Sequence, residues 1–200
     1  MTVVHEASWK ANRRFHNQPP VVEHWTVHTI DFRHALEAPW TTMAPVIVGQ
    51  VRQGVGDPST YVTVQKDASP FLRVDIYESE PAAHAFQEAL AWADFIVVGF
   101  GAQVHLVSSA ARTPSTFALD GYFGHLYALD DCLLVADAER LRCIDKSGSL
   151  LWASVALGID GVVVHSIREG IVEGEGDWDP PGGWRPFRLQ LASGRVLPHG

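Results

Sequence analysis

The side chains best suited to chemistry lie together near the end of the chain, in the stretch IVEGEGDWDPPGGW. Carboxylates alternate there with glycine and tryptophan, at Glu173, Glu175, Asp177 and Asp179. On an extended segment this spacing puts them on one side, because successive side chains point to opposite faces. Such a row could bind Ca²⁺, which takes several oxygen ligands, although it lacks the EF-hand and RTX spacings. The favoured interpretation is a solvated acidic loop.

Two of these acids could also act as a catalytic pair. A hydrolase needs one group to give a proton and another to accept one, and Glu175 and Asp177 have carboxyl groups suited to both roles. No known motif supports catalysis, because G-x-S-x-G and Walker sequences are absent. The glycines at 99–101 are not a dinucleotide-binding fingerprint, because a predicted strand follows them instead of a helix and the third glycine is missing. We therefore predict no catalytic residue and keep a hydrolase as an alternative.

The same stretch is also typical of a rigid recognition loop. Pro180-Pro181 stiffens its tip, Gly182-Gly183 lets the backbone turn back, and two tryptophans stand at its base. Rigid aromatic rings give a large contact area at low entropic cost, so they are frequent in binding surfaces. Alternatively, both rings cover the edge of a sheet. The predicted binding residues are Glu175, Asp177, Trp178, Asp179, Pro180, Pro181 and Trp184.

Histidine spacing does not predict a metal site. His24 and His28 lie four positions apart on a predicted strand, which separates their Cβ atoms by about 13 Å, too far for one metal ion. Three other histidines belong to repeated segments, where a histidine usually satisfies a neighbouring polar group. Two of these segments share a motif in which Asp-Gly precedes the histidine: Asp120-Gly121 with His125, and Asp160-Gly161 with His165.

The elements that carry the acidic loop repeat along the chain. Segments 97–101, 134–138 and 172–176 superpose at steps of 37 and 38 residues, and a second alternating segment follows each of them. The Ser147-Gly148 turn recurs 46 residues later as Ser193-Gly194. The excess of eight residues over the usual step equals the length of DWDPPGGW. We therefore interpret that sequence as an insertion in one copy of a repeat.

The clearest copy is 131–154, DCLLVADAERLRCIDKSGSLLWAS. Apolar runs at 133–135, 141–144 and 150–152 are separated by a polar turn and by a tight hairpin, DKSG, in which Gly148 tolerates a positive φ. Three short antiparallel strands at this spacing are typical of one propeller blade or of one face of a β-sandwich.

Part of this copy, CIDKSGSLLW, is similar to the strand-turn-strand unit of PQQ-type β-propeller repeats, where an Asp, a turn Gly and a Trp four residues after that Gly are common. The corresponding residues here are Asp145, Gly148 and Trp152. The resemblance covers about residues 92–198 and implies blade architecture without a catalytic residue. It does not imply PQQ, because quinoprotein dehydrogenases contain many more blades than this chain could form, so no cofactor is predicted.

The C-terminal motifs DGVVVH, GEGDWDPPGGWRPFRL and SGRVL carry a second resemblance. They are similar to segments of small bacterial proteins, some of which resemble immunity proteins of contact-dependent or secreted toxin systems. This resemblance implies a protein that binds and neutralises a toxin.

The first half of the chain predicts further strands and one helix. Apolar and polar residues alternate at 21–30, 45–51, 61–65 and 71–77, and a hairpin-like connection through Gly54, Gly56 and Pro58 joins the second and third strands. Ser79 as N-cap, Pro81 in the first turn and a helically spaced apolar stripe predict a helix near 80–91. The stripe consists of Ala82, Ala85, Phe86, Ala89 and Leu90.

The predicted fold is thus mostly β, with a partial or small propeller of about four blades built from antiparallel repeats. The expected divisions are an N-terminal arm at 1–20, a β-rich segment with the helix at 21–92, and the blade-like repeats at 93–200. Segment 61–77 is a candidate for a degraded first copy, because its alternation matches that of the last repeat.

Composition favours a protein partner. The 200 residues are 46% apolar and 19% charged, which is ordinary for a globular chain, and the net charge of −8 opposes binding to nucleic acid or an anionic membrane. A basic partner protein fits this charge. No signal sequence is apparent, so we expect a cytoplasmic protein in which Cys132 and Cys143 are reduced and buried. The predicted function is a non-enzymatic interaction module, such as an immunity protein, with a small-molecule, glycan or calcium-binding protein as the alternative.

Overall fold

A computed structural model of the protein describes residues 2–4, 27–50, 56–78, 86–179 and 181–198. These residues form sixteen β-strands in four sheets, and the one helical element among them is a short 3-10 turn at Trp40–Thr42. The prediction of a mostly β fold is therefore confirmed. Within the described ranges, none of the sheets closes into a barrel or a propeller. No helix in those ranges is long and apolar enough to cross a membrane.

The first sheet, sheet A, has five strands: β1 (Thr2–Val4), β2 (His28–Arg33), β3 (Val46–Gly49), β4 (Thr60–Lys66) and β5 (Ser69–Tyr77). Their order is β1-β2-β4-β5-β3. The strands predicted at 45–51, 61–65 and 71–77 are present, but the hairpin-like connection between the first two is wrong, because β3 pairs with β5 in parallel. Alternation tells which face of a strand is buried, not which strand lies beside it. Residues 5–26, with His24 and most of the predicted arm, lie outside the described part of the chain.

The other three sheets are antiparallel meanders that follow one another along the chain. Sheet B contains β6 (Gln87–Trp92), β7 (Phe95–Phe100), β8 (Gln103–Ser108) and β9 (Pro114–Ala118). Sheet C contains β10 (Phe123–Ala128), β11 (Cys132–Asp137), β12 (Leu141–Asp145) and β13 (Leu150–Ala153). Sheet D contains β14 (Val162–Arg168), β15 (Ile171–Asp177) and β16 (Trp184–Gln190).

The sequence repeat corresponds to a repeat of strand position. The superposable segments 97–101, 134–138 and 172–176 fall on β7, β11 and β15, the second strand of each meander. The alternating segments that follow them fall on the third strands, β8, β12 and β16. The Ser-Gly turns come after β12 and β16, and both glycines, Gly148 and Gly194, have positive φ angles of 83° and 66°.

The predicted helix near 80–91 is not borne out by the described part of that range. Residues 79–85 lie outside the described part of the chain, and Gln87–Trp92 is the strand β6, which pairs antiparallel with β7. Ala89 and Leu90 are both buried because they belong to opposite faces of sheet B, Ala89 packing toward sheet A and Leu90 toward sheet C. Burial on both faces removes the alternation that would identify a strand.

Three apolar clusters join the four sheets in series. The first lies between sheets A and B, the second between B and C, and the third between C and D. The first strands of sheets B, C and D, which are β6, β10 and β14, also contact one another in succession, and β6 contacts β2 of sheet A. Sheets B and C are in close contact at Gly99, where an added Cβ would overlap the ring of Phe123.

The two cysteines lie in the cluster between sheets C and D. Cys132 and Cys143 are free and buried, as predicted. Burial first, and then a hydrogen bond with Cys132, raises the pKa of Cys143 to about 12. Because only the thiolate is a good nucleophile, this thiol is unreactive at neutral pH.

Candidate interaction surface

The inserted stretch forms the connection between the second and third strands of sheet D. β15 ends at Asp177 and β16 begins at Trp184, so the loop contains residues 178–183, of which Pro180 lies outside the described residues. The equivalent connections in sheets B and C are only two and three residues long, 101–102 and 138–140. The extra length therefore belongs to sheet D alone among the three meanders.

The acidic row is located as the alternation predicts, but its members have separate partners. Glu173, Glu175 and Asp177 occupy alternate positions of β15, and the positions between them are buried. Glu173 accepts hydrogen bonds from Arg188 Nε and Ser166 Oγ, each at 3.1 Å. Glu175 Oε2 lies 3.4 Å from His165 Nε2. The acids of the strand are thus divided between neighbouring basic and polar groups.

The last acids of the row stabilise the base of the loop. Ile159 and Asp160 both donate backbone hydrogen bonds to Asp177 O, at 2.7 and 3.2 Å. Asp177 Oδ1 accepts the N–H of Asp179 at 3.3 Å, and Asp179 itself has a positive φ of 62°. Among the described residues, no group of three or more His, Cys, Asp or Glu side chains is arranged to hold a metal ion.

The two tryptophans have different environments. Trp178 is half-buried, and the guanidinium of Arg185 lies over its ring, 5.7 Å from the centroid. Trp184 is 51% exposed. Its ring borders Gly161, where an added Cβ would lie 3.4 Å from Trp184 Cη2 and 3.8 Å from Tyr122 Oη. Gly161 therefore lies between the ring of Trp184 and the hydroxyl of Tyr122, the residue that precedes β10.

Tyr122 connects this loop to sheet C. Its hydroxyl donates to Asp160 O at 2.6 Å and is 3.1 Å from Asp160 Oδ1. Burial, followed by the hydrogen bond with Asp160 and the negative charges of Asp160 and Asp177, raises the pKa of Tyr122 to about 12. The hydroxyl thus remains protonated and keeps donating at physiological pH.

Two more rings extend the surface from Tyr122 toward sheet B. Phe86 is 44% exposed and stacks on Tyr122 with centroids 6.2 Å apart. It also lies 5.5 Å from the ring of His125, whose Nδ1 is 3.6 Å from Glu88 Oε2. We call Phe86, Tyr122, His125 and Trp184 the aromatic strip. Carboxylates of Glu88 and Asp160 contact it directly.

The structure brings only part of the predicted set to this strip. Trp184 belongs to it, and the charge of Asp177 acts on Tyr122. Asp179 and Pro181 are exposed on the loop, whereas Glu175 pairs with His165. Sequence reasoning missed three strip residues, although the echo of Asp120-Gly121 and His125 in the next sheet marks the segment that carries two of them. The missed residues are Phe86, Tyr122 and His125.

Of the three histidines in the repeats, His105 has the structural environment expected of them. His105 is buried on β8 with its Nδ1 2.8 Å from Thr116 Oγ1. His125 and His165 are partly exposed, and each lies near one glutamate.

The aromatic strip offers ring faces beside carboxylates. This combination suits the binding of a cationic group.

The chain matches no protein-family model, and no curated protein sequence is significantly similar to it.

Proposed function

We propose that the protein is a non-enzymatic interaction module that binds a basic protein through the aromatic strip and the 178–183 loop. The observation that carries the proposal is the exposure of Trp184 beside Tyr122, where its ring is available to a partner. Large aromatic side chains at the centre of a surface dominate many protein interfaces. Guanidinium and ammonium groups bind to such rings, and nearby carboxylates strengthen the attraction.

The acidic character of the chain supports the same proposal. The net charge of −8 attracts a basic protein, and Glu88, Asp160 and Asp177 place negative charge around the strip. Trp178 of the loop already has a contact of this type, because the guanidinium of Arg185 on β16 lies over its ring. A partner's arginine would make the same type of contact with Trp184. An immunity protein that neutralises a basic toxin in the cytoplasm has these properties, and we propose this role.

The sheets would form the rigid support for that surface. We propose that sheets A to D are four propeller-like blades in an open arc. The successive contacts of β2, β6, β10 and β14 support this, as does the shared strand order of the meanders. A crystal structure in which these four strands surround a common axis would agree with the proposal, whereas strands on two separate axes would refute it.

The test uses the protein encoded by the neighbouring gene, which the proposal expects to be basic. Its affinity is measured by calorimetry for the wild type, for Trp184→Ala and for Leu151→Ala, the last being a matched exposed residue on another sheet. We expect Trp184→Ala to weaken binding at least about tenfold, as loss of a central tryptophan does, with no change for Leu151→Ala. Absence of binding, or equal affinity for all three proteins, would refute the proposal.

A glycan-binding role is the second candidate, favoured by the exposed ring of Trp184 next to carboxylates. A thermal-shift screen with sugars and divalent ions distinguishes the two roles, because a sugar ligand raises the melting temperature of the wild type but not of Trp184→Ala. The hydrolase alternative has no such support, since Glu175 pairs with His165 and Asp177 with the loop backbone.

A further inference from the structure

A cavity of about 260 Å³ lies between the last strand of sheet B and the outer part of sheet C. It is lined by residues 115–118 of β9, Arg142 and Ile144 of β12, Gly148 in the following turn and Leu150 of β13. Side chains on one face of a strand are two residues apart. Four consecutive lining residues therefore mean that the cavity extends along the edge of β9, not over its face.

The hydrogen-bond pattern shows which backbone groups point to this edge. Ser108 N–H donates to Thr113 O at 3.0 Å and Leu119 N–H donates to Ala102 O at 2.9 Å. Bonded pairs in an antiparallel ladder recur at every second residue. Ser115 and Phe117 thus direct their backbone groups toward β8.

The residues that alternate with Ser115 and Phe117 along β9 have the opposite orientation. Thr116 and Ala118 direct their N–H and C=O groups away from β8, and both residues are exposed. Among the described residues β8 is the only strand that pairs with β9. Thr116 and Ala118 therefore present donors and acceptors in the geometry that an added strand requires.

The side chains of the cavity define what such a strand would carry. Ile144, Leu150 and Phe117 supply an apolar lining. Arg142 is the charged residue of the lining, and its guanidinium binds the carboxylates of Asp120 and Asp137. Because this charge is already compensated, the cavity suits an uncharged apolar side chain.

We infer that β9 and this cavity form a docking site for an extended apolar segment of another protein. The segment pairs its backbone with Thr116 and Ala118 and places an apolar side chain against Ile144 and Leu150. Main-chain bonds supply affinity in this mode of recognition, and the pocket supplies specificity. The site is separate from the aromatic strip and does not rest on the proposed function.

The first test follows backbone amides by NMR while a short uncharged peptide, alternating threonine with leucine and phenylalanine, is added. We expect the Thr116 and Ala118 amides to shift and to exchange at least about tenfold more slowly, because they become bonded. The amides of Ser115 and Phe117, already bonded to β8, should keep their exchange rates. Saturating peptide that leaves Thr116 and Ala118 unchanged would overturn the inference.

Two neighbouring leucines give a matched pair of variants. Leu150 and Leu151 are 58% and 57% exposed, but only Leu150 lines the cavity. We expect Leu150→Glu to weaken peptide binding at least about tenfold, because a carboxylate would be desolvated. Leu151→Glu should have little effect. Equal weakening by both variants would overturn the inference, since it would indicate nonspecific adhesion to β13.

A second pair tests the backbone contact. Ala118→Pro removes an outward N–H without breaking the ladder to β8, and Ala118→Val keeps that N–H. Peptide affinity should fall about three- to tenfold in the proline variant only, the effect of one lost hydrogen bond. Sedimentation of the free protein identifies the other possible occupant, because a dimer disrupted by Leu150→Glu would assign the edge to a second copy and overturn the inference. Trp184→Ala should leave peptide binding intact, so failure here is distinguishable from failure of the proposed function.

Discussion

His105 couples the stability of the protein to pH. Its side chain is almost completely buried, and burial lowers its pKa from 6.5 to about 4. Between these values the unfolded chain binds a proton that the folded chain excludes. The stability is therefore complete above pH 6.5 and decreases as the pH falls toward 4. One pKa unit corresponds to about 1.4 kcal/mol, so the full loss from this residue is about 3 kcal/mol.

Replacing His105 should remove this pH dependence. His105→Asn keeps a polar atom near Thr116 Oγ1 but leaves a small void, so we expect it to be about 1–3 kcal/mol less stable at pH 7. Between pH 7 and 4.5 the variant should lose less stability than the wild type. Urea unfolding at both pH values measures the effect, with the exposed His165→Asn as control. An identical pH dependence in His105→Asn and wild type would contradict the assignment.

At the residue scale the sequence predicted the site only in part. Trp184 could be found because it lies in a dense local motif with proline, glycine and acids. Phe86 and Tyr122 could not be found in this way, because Phe86 stacks on Tyr122, and Tyr122 lies near Gly161 and Trp184, only in the folded chain. Their individual types are those of ordinary core residues. Only the geometry distinguishes them from the rings that fill the interior.

The same limit applies to whole elements. Alternation identified β4 and β5, in part because these strands expose polar residues near their turn, and spacing identified the repeated strands of sheets B to D. β6 was mistaken for part of a helix because sheet B has apolar neighbours on both sides. The pairing of β3 with β5 could not be predicted either, because a parallel pair forms only when the intervening chain has crossed over.

Gly99 should control the distance between sheets B and C. A methyl group there would overlap Phe123, so we expect Gly99→Ala to lower the free energy of unfolding by about 1–3 kcal/mol. In Phe123→Leu the smaller side chain should leave room for that methyl group. The double variant should therefore lose less free energy of unfolding than the two single variants lose together. Chemical denaturation of the four proteins measures this coupling.

The control for Gly99→Ala is Gly56→Ala. Among the described residues, no heavy atom lies within 4 Å of a Cβ added at Gly56, so this change should alter stability by less than about 0.5 kcal/mol. Additive effects at Gly99 and Phe123 would show that the two sites do not interact.

At the scale of the whole molecule, the net charge should govern how fast a partner arrives. The chain carries −8, and a basic protein would be attracted over a distance set by salt screening. We expect the association rate to fall about tenfold or more between low and high ionic strength, with a smaller change in the dissociation rate. Stopped-flow or surface measurements at several salt concentrations test this. A salt-independent association rate would argue against electrostatic attraction.

The serial arrangement of the three apolar clusters has a consequence for how the chain can be divided. Sheets B and C each contribute one face to one apolar cluster and the opposite face to the next. Every cluster is therefore shared between two sheets. A fragment ending after sheet A, B or C would expose a large hydrophobic face to solvent. We expect such a fragment to aggregate or to bind another protein through that face. Truncation is therefore a poor way to isolate activities in this protein, whereas single surface substitutions leave the shared interiors intact.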